Sequence, residues 1–367
     1  MQQWYDCPQC KQLVQYGQPN CLSCGIQLIW PTQQQSQPPY YQQQLGTWGQ
    51  QQGNSTGFDW KRSKAHLLLL SKFIHGQRQE YSESWGNVLG EPSNQAITRF
   101  INEGSLTTAD LNDHLSYKYK VPELKDMLKQ RGLPVSGRKD EMIQRLVQVD
   151  TDGMRKAVAE LTLLKCTQRG QEIAEQYLVA EKEKRSNVEK QVIEYLRQRR
   201  FREASLTVAA YESEQVFSRG MGVDWRHYNP SHDIERLETI FRSKPKIVAQ
   251  LRDEKLEALR IGAAMMELWG TNTAMKWLPD NFETGLSIDN DAAARMFLFQ
   301  AGNQAQLESY RKEGVSPYVE ILATSESCDS CKRLEGKRYK LSNAPELPNP
   351  HCTHKLGCRC VYLPCVD

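Results

Sequence analysis

The chain has 367 residues, with 47 Lys and Arg against 44 Asp and Glu, a formal net charge of +3. At roughly 150 residues per unit that length fits two or three folded units. The near-neutral charge excludes a nucleic-acid partner held by global attraction, so any such partner must be gripped by a local patch. Only 39% of the residues are hydrophobic and the mean hydropathy is -0.66, which is wet for a one-domain enzyme. The longest plain apolar run, Leu67 to Leu70, falls far short of the ~20 residues of a membrane span.

The first residues, Met1 to Cys7, carry neither a basic stretch nor an apolar core, so they do not read as a signal peptide. A secreted or membrane-inserted protein is therefore not expected, and the bacterial cytoplasm is the default location, as a nucleoid-associated protein, or the nucleus in a eukaryote. The 11 cysteines then need an explanation compatible with a reducing compartment. They cluster: Cys7, Cys10, Cys21 and Cys24 at one end, and six between Cys328 and Cys365 at the other, with Cys166 alone between them. Clusters that contain CxxC pairs in a non-secreted chain point to metal rather than disulfides. Cys166 reads as a buried, inert thiol on a helix.

In the first cluster two CxxC pairs stand ten residues apart. Two tight turns, each offering two thiolates, close a tetrahedral structural site around one zinc ion. The pattern resembles the short zinc-ribbon family and covers residues 1–30. Residues 1–60 hold one basic residue, Lys11, against Asp6 and Asp59. A phosphate-contacting ribbon would need more cations, so a structural ribbon, or one that docks a protein partner, is expected. From Gln33 to Gln52, ten of twenty residues are glutamine. Nothing there has an apolar period to bury, so residues 31–59 read as a disordered Gln-rich linker. A short helical segment, residues 60–105, follows, with a helix expected over Asn94 to Glu103.

The most specific stretch runs from Val121 to Leu146. Pro122 and Glu123 suit a first helical turn; Leu124 and Leu128 share one face; and Gly132 terminates the helix. A second helix from about Lys139 carries Met142, Ile143 and Leu146. The connection, Ser136-Gly137-Arg138-Lys139, offers backbone donors and two cations beside a helix N-terminus, the ingredients of a phosphate-binding corner. This line closely resembles the SAP family of DNA-binding helix–extended–helix modules, whose signature is ELK…L…GL…SG.K..LI.RL, over about residues 106–150. The resemblance implies double-stranded DNA as partner and places DNA-facing elements at Lys125, Lys129, Arg131, Ser136, Gly137, Arg138 and Lys139. Leu106 to Asp150 holds eight basic and seven acidic residues. Weak, sequence-tolerant binding is therefore expected, because nothing in the segment obviously reads base edges.

Residues 151–314 read as a helical domain. Glu181 to Glu203 carries eight basic and five acidic residues and ends in a cationic run, Arg197 to Arg202, for which a solvated face is favoured over a second phosphate-tracking surface. Leu256, Leu259, Ala263 and Met266 form one stripe and Ile261, Met265 and Trp269 another, the mark of a central, buried helix. Asp289 or Asn290 caps a further helix that runs to Gly302. The polar group Asp224 to Tyr228 with His232 and Asp233 lacks a nucleophile motif or phosphate loop, so a capped loop is favoured over a catalytic one.

The chain closes with a cysteine-rich region, residues 315–367, that reads as a zinc module. Cys328 and Cys331 form a CxxC pair; after twenty intervening residues comes Cys352, and after five more Cys358-Arg359-Cys360. Four ligands suffice for zinc, and Cys328, Cys331, Cys352 and Cys358 are expected, with Cys360 or a histidine as the alternative fourth. The segments Cys328 to Lys337 and Gly357 to Cys360 resemble the C-terminal module of the phage Mu F-like head morphogenesis family, though His354 is offset from that family's HPNCRC. The sequence as a whole thus predicts a mainly α, multidomain, zinc-containing DNA-binding protein with two structural zinc sites and no catalytic residues. Two rivals stand beside it: a phage-derived structural or assembly protein, and a metal-dependent nuclease.

Overall fold

The computed structural model describes residues 4–6, 13–15 and 58–365. The chain divides into two compact units, residues 1–60 with 80–96, and residues 61–79 with 97–367. In the first, β1 (Trp4–Asp6) and β2 (Leu13–Gln15) pair antiparallel. The same unit holds the helix α2 (Glu83–Leu89), whose Trp85 meets Tyr81 edge to face at 5.5 Å.

The second unit is mainly helical. Its first elements are α1 (Lys64–Ser71), followed across the first unit's α2 (Glu83–Leu89) by the C-terminal part of α3 (Ser93–Asn102). Phe100 of α3 lies edge-on to His66 of α1. Next come β3 (Leu106–Thr108), α4 (Leu111–Lys118), α5 (Val121–Gln130), α6 (Lys139–Val149) and α7 (Thr151–Ala157). Strand β4 (Leu164–Cys166) returns to pair antiparallel with β3, bringing Leu106 opposite Cys166. The expected inert thiol is found there, on a strand and not on the expected helix: Cys166 is buried and burial pushes its pKa up to about 12.

The helical body that follows is built from α8 (Gln168–Arg197), α9 (Phe201–Ser213), α10 (Ser231–Arg242), α11 (Asp253–Trp269) and α12 (Asn290–Glu313). Both stripes of α11 are buried, from Leu256 to Trp269, as a central helix requires. It packs in one core with Val192 and Leu196 of α8, Val208 of α9, Ile240 of α10 and Phe297 of α12. Asp289 caps α12 by accepting from the Ala292 N–H.

Where α8 meets the rest of the unit, the backbones approach closely. A Cβ on Gly170 would stand 1.9 Å from the Ser105 carbonyl oxygen, so only glycine admits this packing. The cationic run at the far end of α8 is largely spent within the body. Arg199 forms a two-pronged ion pair with Glu257 at 2.8 and 3.0 Å, with its guanidinium 4.2 Å from the centre of the Phe241 ring. Arg197 sits 3.6 Å from Glu194 and Arg200 2.9 Å from Glu203. The Asp224 group is a capped loop: Asp224 accepts from the Arg226 and His227 amides, and its other oxygen lies 2.9 Å from His227 Nδ1.

The C-terminal region adds a small sheet to this body. Strand β5 (Tyr318–Leu322) lies between β6 (Arg338–Lys340) and β7 (Val361–Pro364), antiparallel to both. A short helix, α13 (Asp329–Lys332), follows β5. Val319, Ile321 and Tyr362 from the sheet join the helical core, and so do Cys331, Cys352, Cys358 and Cys360. The fold is therefore mainly α, with a cysteine cluster at its C-terminal end. Among the described residues no helix is long and apolar enough to cross a membrane.

Candidate functional site

Two places in the second unit bring chemistry-bearing side chains together. The first is the paired-helix module of α5 and α6. Pro122 lies in the first turn of α5, and Glu123 turns back to accept from the Lys120 N–H at 2.6 Å. Glu141 does the same for the Arg138 N–H at the start of α6, at 3.0 Å. The Leu133 N–H reaches the Leu128 carbonyl at 2.9 Å, closing α5 behind Gly132. Leu124, Leu128, Met142, Ile143 and Leu146 are buried in one small core.

That core is wider than the helix pair. Leu115 of α4 and Met154 and Val158 at the α7 end complete it. His114 links α4 to the chain beyond α7, with Nδ1 2.7 Å from the Asp110 carbonyl and Nε2 accepting from the Leu163 N–H at 3.3 Å. Lys118 donates to the Ala157 carbonyl.

The residues expected to face DNA are held in different ways. Lys125, Ser136, Gly137 and Arg138 are exposed. Lys129 is exposed too, with its ammonium 3.6 Å from Asp126. Arg131 is turned inward, 2.6 Å from Asp150, and Lys139 donates to the Ser116 carbonyl at 2.6 Å. Arg131 thus pins the end of α5 to the α6–α7 junction, and Lys139 pins α6 to α4.

The loop before α6 is shaped by Glu141 and Arg145. Arg145 donates to the Pro134 carbonyl and, at 2.5 Å, to the Ser136 carbonyl. Gly137 has φ +111°, and a Cβ there would stand 2.2 Å from Glu141 Oε2 and 2.7 Å from an Arg145 nitrogen. Glycine is thus the residue that lets the loop fold over its own cap while leaving Ser136 and Arg138 exposed at the helix start.

The second place is the cysteine cluster. Cys328 precedes α13 and Cys331 lies on it; Cys352, Cys358 and Cys360 come from the loop between β6 and β7. The sulfurs of Cys328, Cys331 and Cys352 all lie within 4.8 Å of one another, as do those of Cys331, Cys358 and Cys360. Cys328 is 3.8 Å from Cys352, and Cys331 is 3.9 Å from Cys358. Four thiolates around one tetrahedral zinc, at about 2.3 Å each, have sulfurs about 3.8 Å apart. The cluster could therefore hold a metal ion; its five cysteines fall into two triads that share Cys331, so the four expected ligands are divided between the two and Cys360 joins Cys358.

Amide hydrogens point at these sulfurs, an outer shell that sequence reasoning missed. Asn349 donates its backbone N–H to Cys358 Sγ at 3.2 Å and its side-chain amide to Cys331 Sγ at 3.4 Å. The Thr353 N–H lies 3.4 Å from Cys328 Sγ. Burial opposes ionisation of Cys328, but hydrogen bonds from Thr353 and Cys331 outweigh it and hold its pKa at about 6. Crowding acts the other way on Cys352 and Cys360, each pushed up to about 12, chiefly by the hydrogen bond with Cys331. His354, weighed as an alternative ligand, has its Nδ1 3.1 Å from the Leu356 N–H, and His351 donates its backbone N–H to Asn349 Oδ1.

The four N-terminal cysteines, Cys7, Cys10, Cys21 and Cys24, and the Gln-rich stretch lie outside the described residues. Residues 118–151 match the SAP domain family. That span begins at the end of α4 and closes at the first residue of α7, so it is shorter than the segment from 106 that the sequence resemblance covers. No curated protein matches the chain, and no solved structure does.

Proposed function

We propose that this protein binds double-stranded DNA through its SAP module, contacting backbone phosphates with low sequence specificity and without catalysing a reaction. The observation that carries this reading is the SAP match over α5 and α6, together with the exposure of Ser136, Gly137 and Arg138 at the N-terminus of α6. Amides and a cation at a helix start suit phosphate oxygens, which fix register without reading bases. Lys125, exposed on α5, adds a second cation. Arg131 and Lys139 contribute charge from positions already anchored within the module, and Lys129 shares its charge with Asp126. A surface with so few cations not engaged by carboxylates or carbonyls yields modest affinity.

The C-terminal cysteines hold a structural zinc ion in this reading, with Cys328, Cys331, Cys352 and Cys358 as ligands. The ion staples the loop between β6 and β7 to α13, and so secures the sheet against the helical body. A second zinc closes the N-terminal ribbon through Cys7, Cys10, Cys21 and Cys24, which serves as a tethered docking element for a protein partner. Competition tests the DNA reading. Unlabelled duplexes of unrelated sequence should displace a labelled duplex equally well, whereas a preference above about a hundredfold for one sequence would contradict phosphate-based recognition.

A further inference from the structure

The cysteine cluster holds one thiol more than a tetrahedral ion uses. Its two sulfur triads share a single member, Cys331. Cys328 lies 3.8 Å from Cys352 in the first triad, and Cys331 lies 3.9 Å from Cys358 in the second. Cys360 completes that second triad, within 4.8 Å of both Cys331 and Cys358.

The surroundings separate the two candidates for the fourth position. Cys358 follows Gly357 in a loop, and its sulfur accepts the Asn349 N–H at 3.2 Å. Cys360 immediately precedes β7, whose first residue, Val361, is paired with Leu322 of β5. Its carbonyl is 3.4 Å from the Asn303 side-chain amide. The residue is 2% exposed, with its sulfur beside those of Cys331 and Cys358. Cys358 and Cys360 stand in the same triad with Cys331, so either can offer its sulfur to an ion that Cys331 holds.

We infer that this is a five-thiol site for one thiophilic divalent cation, in which Cys331 is the indispensable ligand and Cys358 and Cys360 are interchangeable as the fourth. The inference rests on the metal-binding reading of the cluster. Thiolate exchange within the site balances in charge and protons: as Cys360 loses its proton and binds, Cys358 leaves the metal and takes a proton up. No oxidant is required. The arrangement lets the site keep its ion while one thiol is transiently lost.

Cobalt(II) titration of the full-length chain tests this, read by the thiolate-to-cobalt charge-transfer band and by bound metal per chain. C331S should bind one equivalent fewer than the wild type. C358S and C360S should each keep the wild-type stoichiometry and full four-thiolate band intensity. C358S/C360S should show a three-thiolate band and bind more than about tenfold more weakly. Loss of the equivalent in C358S alone, or in C360S alone, would overturn the interchange while leaving the metal site standing. Loss of two equivalents in C331S would show a bridged metal pair and overturn it as well. An unchanged stoichiometry in C331S would refute the metal reading and the inference with it. Iodoacetamide labelling of the loaded wild-type chain needs no substitution that threatens the fold. Because both residues are buried, label should appear slowly, through local opening, on Cys358 in some molecules and on Cys360 in others; label confined to one of the two, or none after prolonged reaction, would contradict the exchange.

Discussion

Arg131 and Asp150, 19 residues apart in the chain, meet at 2.6 Å and tie the end of one SAP helix to the end of the other. Asp150 also accepts the Gly153 N–H at 2.9 Å and so caps α7. One carboxylate therefore holds three helices in register around the core of Leu124, Leu128 and Leu146. A cation that the family pattern places toward DNA thus also acts on the module's own shape.

The Arg131 hydrogen bond, helped by the Gly153 amide, holds the Asp150 carboxyl below its ordinary value of 3.8. A carboxyl whose pKa is lowered by folding stabilises the native state above its unfolded pKa, and that contribution is lost as pH falls through the folded pKa. Wild-type unfolding should therefore lose stability below about pH 4 more steeply than Asp150→Asn does. Thermal melts at stepped pH check this, and parallel curves for the two proteins would contradict it.

Gly170 makes a separate prediction about packing. An alanine there would drive its Cβ to 1.9 Å from the Ser105 carbonyl oxygen, against backbone that cannot rotate away as a side chain could. Gly170→Ala should cost about 1–3 kcal/mol despite alanine's higher helix propensity. Denaturant unfolding measures it, and a stabilised variant would show that α8 does not pack as described.

At the cysteine cluster Asn349 is the residue to change. Its side-chain amide donates to Cys331 Sγ, the sulfur common to both triads. Asn349→Ala should weaken metal binding about 10–100-fold, the usual cost of losing an outer-shell partner, without changing the number of ions bound. Competition with a chromophoric chelator reads the affinity. An unaltered affinity would remove Asn349 from the site.

Much of this was legible in the sequence because it is local. The spacing of Leu124, Leu128, Met142, Ile143 and Leu146 marks two helices and the face each buries, and Gly132 marks the stop. The double stripe of α11 announces a central helix in the same way. What escaped depends on chain returning from far away. Leu115, Met154 and Val158 complete the SAP core from outside the matched span. Arg131 and Lys139 look like free cations until Asp150 and the Ser116 carbonyl are placed beside them. Asn349, set between Pro348 and Pro350, gives no sequence signal of a sulfur-directed amide, because that role exists only once α13 and the loop before β7 meet.

The central claim is phosphate binding by the exposed corner before α6, and salt dependence tests it most directly. Fluorescence anisotropy of a labelled random-sequence duplex should be followed against the full-length protein from about 50 to 200 mM salt. Binding should weaken steeply with salt, and Lys125→Ala with Arg138→Ala should lower affinity on every duplex and flatten the salt slope by about two counterions. Absence of binding at the lowest salt, or an unchanged slope in the double variant, would contradict the account.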